Sequence, residues 1–218
     1  MILNDIEVRI LGCLIEKQIT TPDYYPLTLN ALTNACNQKS NRDPVVSFDE
    51  TTVVRGLDGL HDKGFSEKIY KADSRVPKYQ HTFREKLNLT VRETAVMCEL
   101  MLRGPQTIGE VKGRAERMYK FSDLAEVEGI LDGLMNREEP LVTRLPRQAG
   151  RKEPRHMHLL SGAPEVSEIA APLREEAATM QVRSENERIG RLEDEITALR
   201  GELEELRKAF LDLKAQLE

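Results

Sequence analysis

No apolar run in the 218 residues approaches the roughly 18 needed to cross a bilayer. The N-terminus has no basic stretch followed by an apolar one, so no secretory signal and a cytoplasmic location are expected. Cysteine is scarce. Cys13, Cys36 and Cys98 are widely spaced within helical patterns and form no C-x-x-C pair, which predicts buried, reduced thiols. Motifs of catalysis are missing too: there is no P-loop, no G-x-S-x-G elbow and no H-E-x-x-H. His156-x-His158 puts two imidazoles on one face of a strand. With so few other soft ligands a structural role is expected, and neither metal nor cofactor. These absences point to a non-enzymatic protein. Apolar residues make up only 39% and charged residues 32%, which suits small helical modules followed by a solvated extension.

The net charge of −5 is unevenly distributed. Residues 1–87 carry 12 basic and 12 acidic side chains, residues 88–163 carry 12 and 11, and residues 164–218 carry 8 and 14. The acidity belongs to the tail. A neutral body does not exclude nucleic acid, although it lacks the global basic signature of most DNA binders.

What is present is a repeat. Leu57-Asp58-Gly59-Leu60 recurs as Leu131-Asp132-Gly133-Leu134, each time closing an apolar helical stripe and followed by β-like alternation. The first unit reads as a helix from Asn4 to Gln18, a second from Leu27 to Cys36, and a third opened by a Ser47-x-x-Glu50 capping box and ended by Gly64. A hairpin follows, with strands Phe65 to Tyr70 and Val76 to Phe83 around a tip at Lys71–Arg75. The second unit restarts with caps at Thr90-x-x-Glu93, Thr107-x-x-Glu110 and Asp123-x-x-Glu126, and ends in a hairpin of Leu141–Leu145 and His156–Leu160. Core positions match at an offset of 86 in the first helix and 74 in the third. The second unit therefore has the shorter loop between its second and third helices. The predicted fold class is mainly α with small β-hairpins (α+β): two tandem winged helix-turn-helix domains, at 1–87 and 88–162. The glycine of each tetrapeptide costs about 1 kcal/mol relative to alanine in a helix, so close approach of another backbone is expected at Gly59 and Gly133.

Residues 163–187 read as a linker. Residues 188–218 then read as a coiled-coil helix, with Ile189, Leu192, Ile196, Leu199, Leu203, Leu206, Phe210 and Leu213 alternating steps of 3 and 4. In a parallel dimer Arg188–Glu193, Glu195–Arg200 and Glu202–Arg207 would pair with opposite signs, so a parallel homodimer is expected. The alternative is a helix packed back on its own body.

Gly12-Cys13-Leu14-Ile15-Glu16-Lys17-Gln18-Ile19-Thr20-Thr21-Pro22, the stretch Asn34-Ala35-Cys36-Asn37-Gln38-Lys39-Ser40-Asn41-Arg42-Asp43-Pro44-Val45, and the segments Leu102–Thr107 and Arg117–Asp123 closely resemble the bacterial YceH family. The resemblance covers roughly residues 1–162 and implies a pair of winged helices. It supplies no catalytic residues.

Tandem winged helices on a dimerising tail suit a protein that binds double-stranded DNA, such as a transcriptional regulator. The third helices argue against conventional groove reading, because their outward positions include Thr52, Arg55, Asp58 and Asp62 in the first unit and Glu126, Glu128 and Asp132 in the second. Cations gather elsewhere. The second wing holds Arg144, Arg147, Arg151, Lys152 and Arg155 against the single acid Glu153. Arg103, Lys112, Arg114, Arg117 and Lys120 form a second cluster. The candidate nucleic-acid contacts are these wing residues together with Lys39, Asn41 and Arg42 in the polar loop of the first unit. The alternative is a protein-interaction scaffold, in which winged helices dock a protein partner and no DNA is bound. One expectation is directly measurable: the full chain should sediment at about twice its 24.8 kDa mass, and Leu199→Asp with Leu206→Asp should return it to the monomer. A monomeric wild type would contradict the dimer.

Overall fold

The computed structural model describes residues 2–70, 76–147 and 153–163. The coiled-coil positions, nearly all of the linker, the first hairpin tip, Arg151 and Lys152 lie outside the described residues. Among the described residues seven helices and two small antiparallel sheets make an α+β arrangement.

Helix α1 spans Asp5–Thr20. Its start is set by a capping box: Asn4 Oδ1 accepts from the Glu7 amide at 2.9 Å, and the Glu7 carboxylate accepts from the Asn4 amide at 2.8 Å. It runs two residues past Gln18, because the hydroxyls of Thr20 and Thr21 donate back to the carbonyls of Glu16 and Lys17. Leu27 opens no helix, contrary to expectation. Leu27–Thr28 form a short strand, β1, and Thr28 then caps α2, Leu29–Cys36. Helix α3, Glu50–Asp62, is capped by Asp49, whose carboxylate accepts from the Thr52 amide at 2.7 Å. The expected cap at Ser47 fails for a local reason. Asn37 bonds the Phe48 backbone in both directions, at 2.7 and 2.8 Å, and so holds that stretch as loop. Strands β2 (Ser66–Ile69) and β3 (Lys78–His81) pair antiparallel, and β1 adds to the other edge of β3 in the order β1-β3-β2.

A single turn, α4 (Phe83–Lys86), leads to the second half. Helices α5 (Val91–Arg103), α6 (Ile108–Ala115) and α7 (Leu124–Met135) start at Thr90, Thr107 and Asp123 as the caps predict. Strands β4 (Val142–Arg144) and β5 (His156–His158) form the second sheet. Its equivalent of β1 is reduced to one bridge, Gln106 against His156, directly before the Thr107 cap. The order of helix, strand or bridge, two helices and hairpin therefore occurs twice.

The division near residue 87 separates topological units but not cores. Helices α1 and α5 lie side by side, and the Cys98 thiol donates to the Gly12 carbonyl at 3.3 Å. A Cβ on Gly12 would meet the Leu102 side chain at 2.8 Å, so the glycine is what lets the helices approach. All three cysteines are buried and free. Neither tetrapeptide glycine meets another backbone, as they were expected to. At Gly59 the space is filled by the Glu7 carboxylate, and at Gly133 nothing lies within 4 Å. The reason is that Glu7 folds over α3 to serve both its own cap and Lys63, while no described residue reaches over α7 at Gly133 in the same way.

Two helix glycines, one in each half, should respond oppositely to alanine. Gly56→Ala would drive a Cβ into the buried Ile10 side chain and should cost about 1–3 kcal/mol. Gly133→Ala faces open space and should stabilise by up to about 1 kcal/mol. Urea denaturation of the two variants checks both signs.

Candidate nucleic-acid interface

The six candidate contacts that lie among the described residues do not form one surface. Arg42 is fully buried, with 0% exposure. Its guanidinium grips Glu16 from both ends, Nη1 to Oε1 at 3.1 Å and Nη2 to Oε2 at 2.5 Å. It also donates to the carbonyls of Ala35 and Asn41 and to the Gln38 amide oxygen. With its donors used inside the fold, Arg42 cannot reach a phosphate, and it leaves the contact set. Asn41 is half-buried at φ 57°, and its Oδ1 accepts from Arg103. Lys39 alone of the three loop candidates is exposed.

The loop therefore packs inward. Composition hides this, because a run of amides and cations reads equally well as solvated. The partners that draw Arg42 in are a carboxylate on α1 and, beyond it, the second half. Arg117 donates to Glu16 through Nη1 and to Glu99 through Nη2, the latter at 2.7 Å. Arg103 lies 3.5 Å from the other oxygen of Glu99. Gln106, also buried, donates to the Glu99 carbonyl and accepts from Arg114. Glu16, Arg42, Arg117, Glu99 and Arg103 thus make one chain of charge that runs from the first half into the second. The sequence carries a faint signal of it: Glu16 and Glu99 interrupt otherwise apolar helical runs, after Leu14-Ile15 and between Cys98 and Leu100. Burial pushes the Glu16 carboxyl up. The hydrogen bond and charge of Arg42, joined by Arg117 and Lys17, outweigh burial and hold it at about 2.

The second wing divides in a similar way. Arg155 is anchored, donating to the Pro105 carbonyl at 2.7 Å and to Glu110 at 3.0 Å. Its job is to tie the hairpin to the start of α6. Arg144 and Arg147 are exposed and make no ion pair among the described residues. The second cationic cluster is also partly engaged: Arg103 and Arg117 serve the ion chain and Arg114 holds Gln106 and Glu110, while Lys120 is exposed. His156 and His158 are both buried, and burial lowers each; His158 sits at about 4. No group of three or more metal-ligating side chains is gathered among the described residues. No helix among them is long and apolar enough to cross a membrane.

The architecture defines a mixed helical protein with two small sheets, whose repeated halves are joined by buried charge. The chain belongs to the family described as "Protein of unknown function, DUF480", whose model matches residues 3–151. It is 58% identical to a UPF0502 protein of Geotalea uraniireducens over 218 residues, covering 100% of this chain and 99% of the relative. A UPF0502 protein of Pelobacter propionicus is 54% identical over 219 residues, at 100% and 99% coverage. One from Solibacter usitatus is 52% identical over 208 residues, at 95% and 98%.

Breaking the ion chain at one end should be costly. Glu16→Gln leaves Arg42 buried without its counter-ion and should lower stability by about 3–5 kcal/mol at pH 7. The folded pKa of Glu16, about 2, lies below the unfolded value of about 4.3. Its contribution is therefore complete above pH 4.3 and fades as the pH falls toward 2. Wild-type unfolding free energy should drop over that window, and Glu16→Gln should flatten the drop.

Proposed function

We propose that this chain is a non-enzymatic, cytoplasmic binding protein built from two winged-helix modules, 1–87 and 88–162, and dimerised by its C-terminal helix. Its ligand is double-stranded DNA, held by the sugar-phosphate backbone. The helix and hairpin order of each half and the YceH-like motifs support the modules. The observation that carries the DNA reading is the pair Arg144 and Arg147, exposed at the second wing and free of carboxylate partners among the described residues. Arg151 and Lys152 continue the same basic stretch in sequence. Lys39 adds an exposed cation in the first half. A basic wing can straddle phosphates or enter the minor groove without base-specific contacts. The third helices suit groove reading poorly, since Asp58 and Asp62 on α3 and Glu128 and Asp132 on α7 are exposed.

A protein-docking function is the second reading, and one feature favours it. Helix α7 borders an open groove of about 900 Å³, lined by Val91, Tyr119, Ile130, Gly129 and Gly133 among others. Val91 is 41% exposed at its edge, and Leu124, on the same helix, is 53% exposed. Small, unobstructed positions beside exposed apolar side chains suit an incoming protein segment better than a nucleic acid.

Fluorescence anisotropy with a labelled duplex, titrated over a salt series, separates the two. The DNA reading expects binding at low salt that weakens steeply as salt rises. Arg144→Glu with Arg147→Glu should weaken it about tenfold or more and reduce the salt slope by about 2. An undetectable affinity at about 50 mM salt, or one indifferent to both substitutions, would sink it.

A further inference from the structure

The body contains a cleft that neither reading uses. It lies between the start of α1, residues 43–48, the end of α5 and strand β5, and encloses about 580 Å³. That is the size of a small-molecule site. Residues from both halves line it, so an occupant would touch both.

Its walls are chemically divided. Val46, Phe48, Met101 and Met157 provide an apolar side. Arg9 provides a buried cation, only 5% exposed. Its Nη2 donates to the Pro44 carbonyl at 2.5 Å, while Nη1 is buried with no hydrogen-bond partner among the described residues. His158, 6% exposed, lines the same cleft. Its Nδ1 is likewise buried and unpartnered among the described residues. Burial keeps this imidazole neutral, at about 4, so it can donate or accept according to tautomer. Buried polar atoms are ordinarily paired, and these two, closed to solvent in residues that line one cleft, would gain partners if an occupant drew the Arg9 and His158 side chains toward it. A guanidinium with an unused N–H is a carboxylate receptor.

A simple anion does not complete the site, because Asp5 and Asp43 line it as well. Burial pushes the Asp43 carboxyl up, and the surrounding cations Arg114, Arg9, Arg103 and Arg155 counter that only in part. These acids would repel a bare carboxylate and would accept an ammonium. Donor, acceptors and apolar wall together describe a zwitterion with a hydrophobic body.

We propose that this cleft is an effector site for a small apolar α-amino acid. Its carboxylate would meet Arg9 and His158, its ammonium Asp43 and Asp5, and its side chain Phe48 and Met101. The proposal stands whether or not the protein binds DNA.

Calorimetry on the full chain with L-leucine, L-methionine and L-phenylalanine tests it. At least one should bind saturably with Kd below about 1 mM. Its counterpart lacking the amino group (4-methylpentanoate, 4-(methylthio)butanoate or 3-phenylpropanoate) should bind about tenfold more weakly or worse. Arg9→Met should abolish binding. Met157→Trp, which fills the cleft from its apolar side and leaves the buried charge untouched, should do the same in a protein of unchanged circular dichroism. No heat with any of the three amino acids at about 10 mM, equal binding of the deaminated counterpart, or binding that survives Met157→Trp would each overturn the proposal.

Discussion

The bidentate pair between Arg42 and Glu16 is the contact on which the rest of the arrangement depends. Two full charges have left water, and their attraction offsets that cost only if every remaining donor and acceptor is also satisfied. The fold meets the condition with parts from far along the chain. Ala35 and Gln38 come from the end of α2 and the loop after it. Arg117 comes from the turn after α6, and Glu99 from α5. Three contacts carry the network across the halves: Arg117 donates to Glu16, Arg103 donates to Asn41, and the Asp43 amide donates to the Leu102 carbonyl at 2.9 Å. The loop that looks most like a surface feature is thus the staple through which the first half holds the second.

What could be read in the sequence was local. Caps at Asn4, Thr90, Thr107 and Asp123 and the apolar stripes of α1, α3, α5 and α7 obey rules that span only a few residues, and the structure follows them. The hairpins were visible through alternation. The failures share a cause. Arg42 depends on a carboxylate 26 residues earlier, and that carboxylate depends on an arginine 101 residues later. Ser47 lost its cap to Asp49 because Asn37, eleven residues before Phe48, claims the intervening backbone. Strand β1 is two residues long and has no periodicity to detect. Arg155 has the composition of a contact residue and the geometry of a brace.

The two halves share an order of elements but do not do the same work. The first keeps a three-stranded sheet and the long inward loop. The second keeps a single bridge in place of β1, a Gly133 that no described residue covers, and the exposed wing cations Arg144 and Arg147. Gly59 and Gly133 show the divergence at one position. The former accommodates the Glu7 carboxylate, and the latter opens on a groove. Structural charge is concentrated where the halves meet, and accessible cations and exposed apolar side chains are found on both halves away from it, Lys39 and Tyr24 on the first, Arg144 and Leu124 on the second. That separation supports a body made rigid at its centre with binding surfaces at its margins.

The central claim is that buried charge makes residues 2–163 one cooperative body rather than two tethered modules. Native-state hydrogen exchange in a denaturant series tests it most directly. The slowest amides of α1 and of α5 should converge on a single opening free energy with one denaturant dependence. Two distinct values, with either half opening while the other stays protected, would contradict the account.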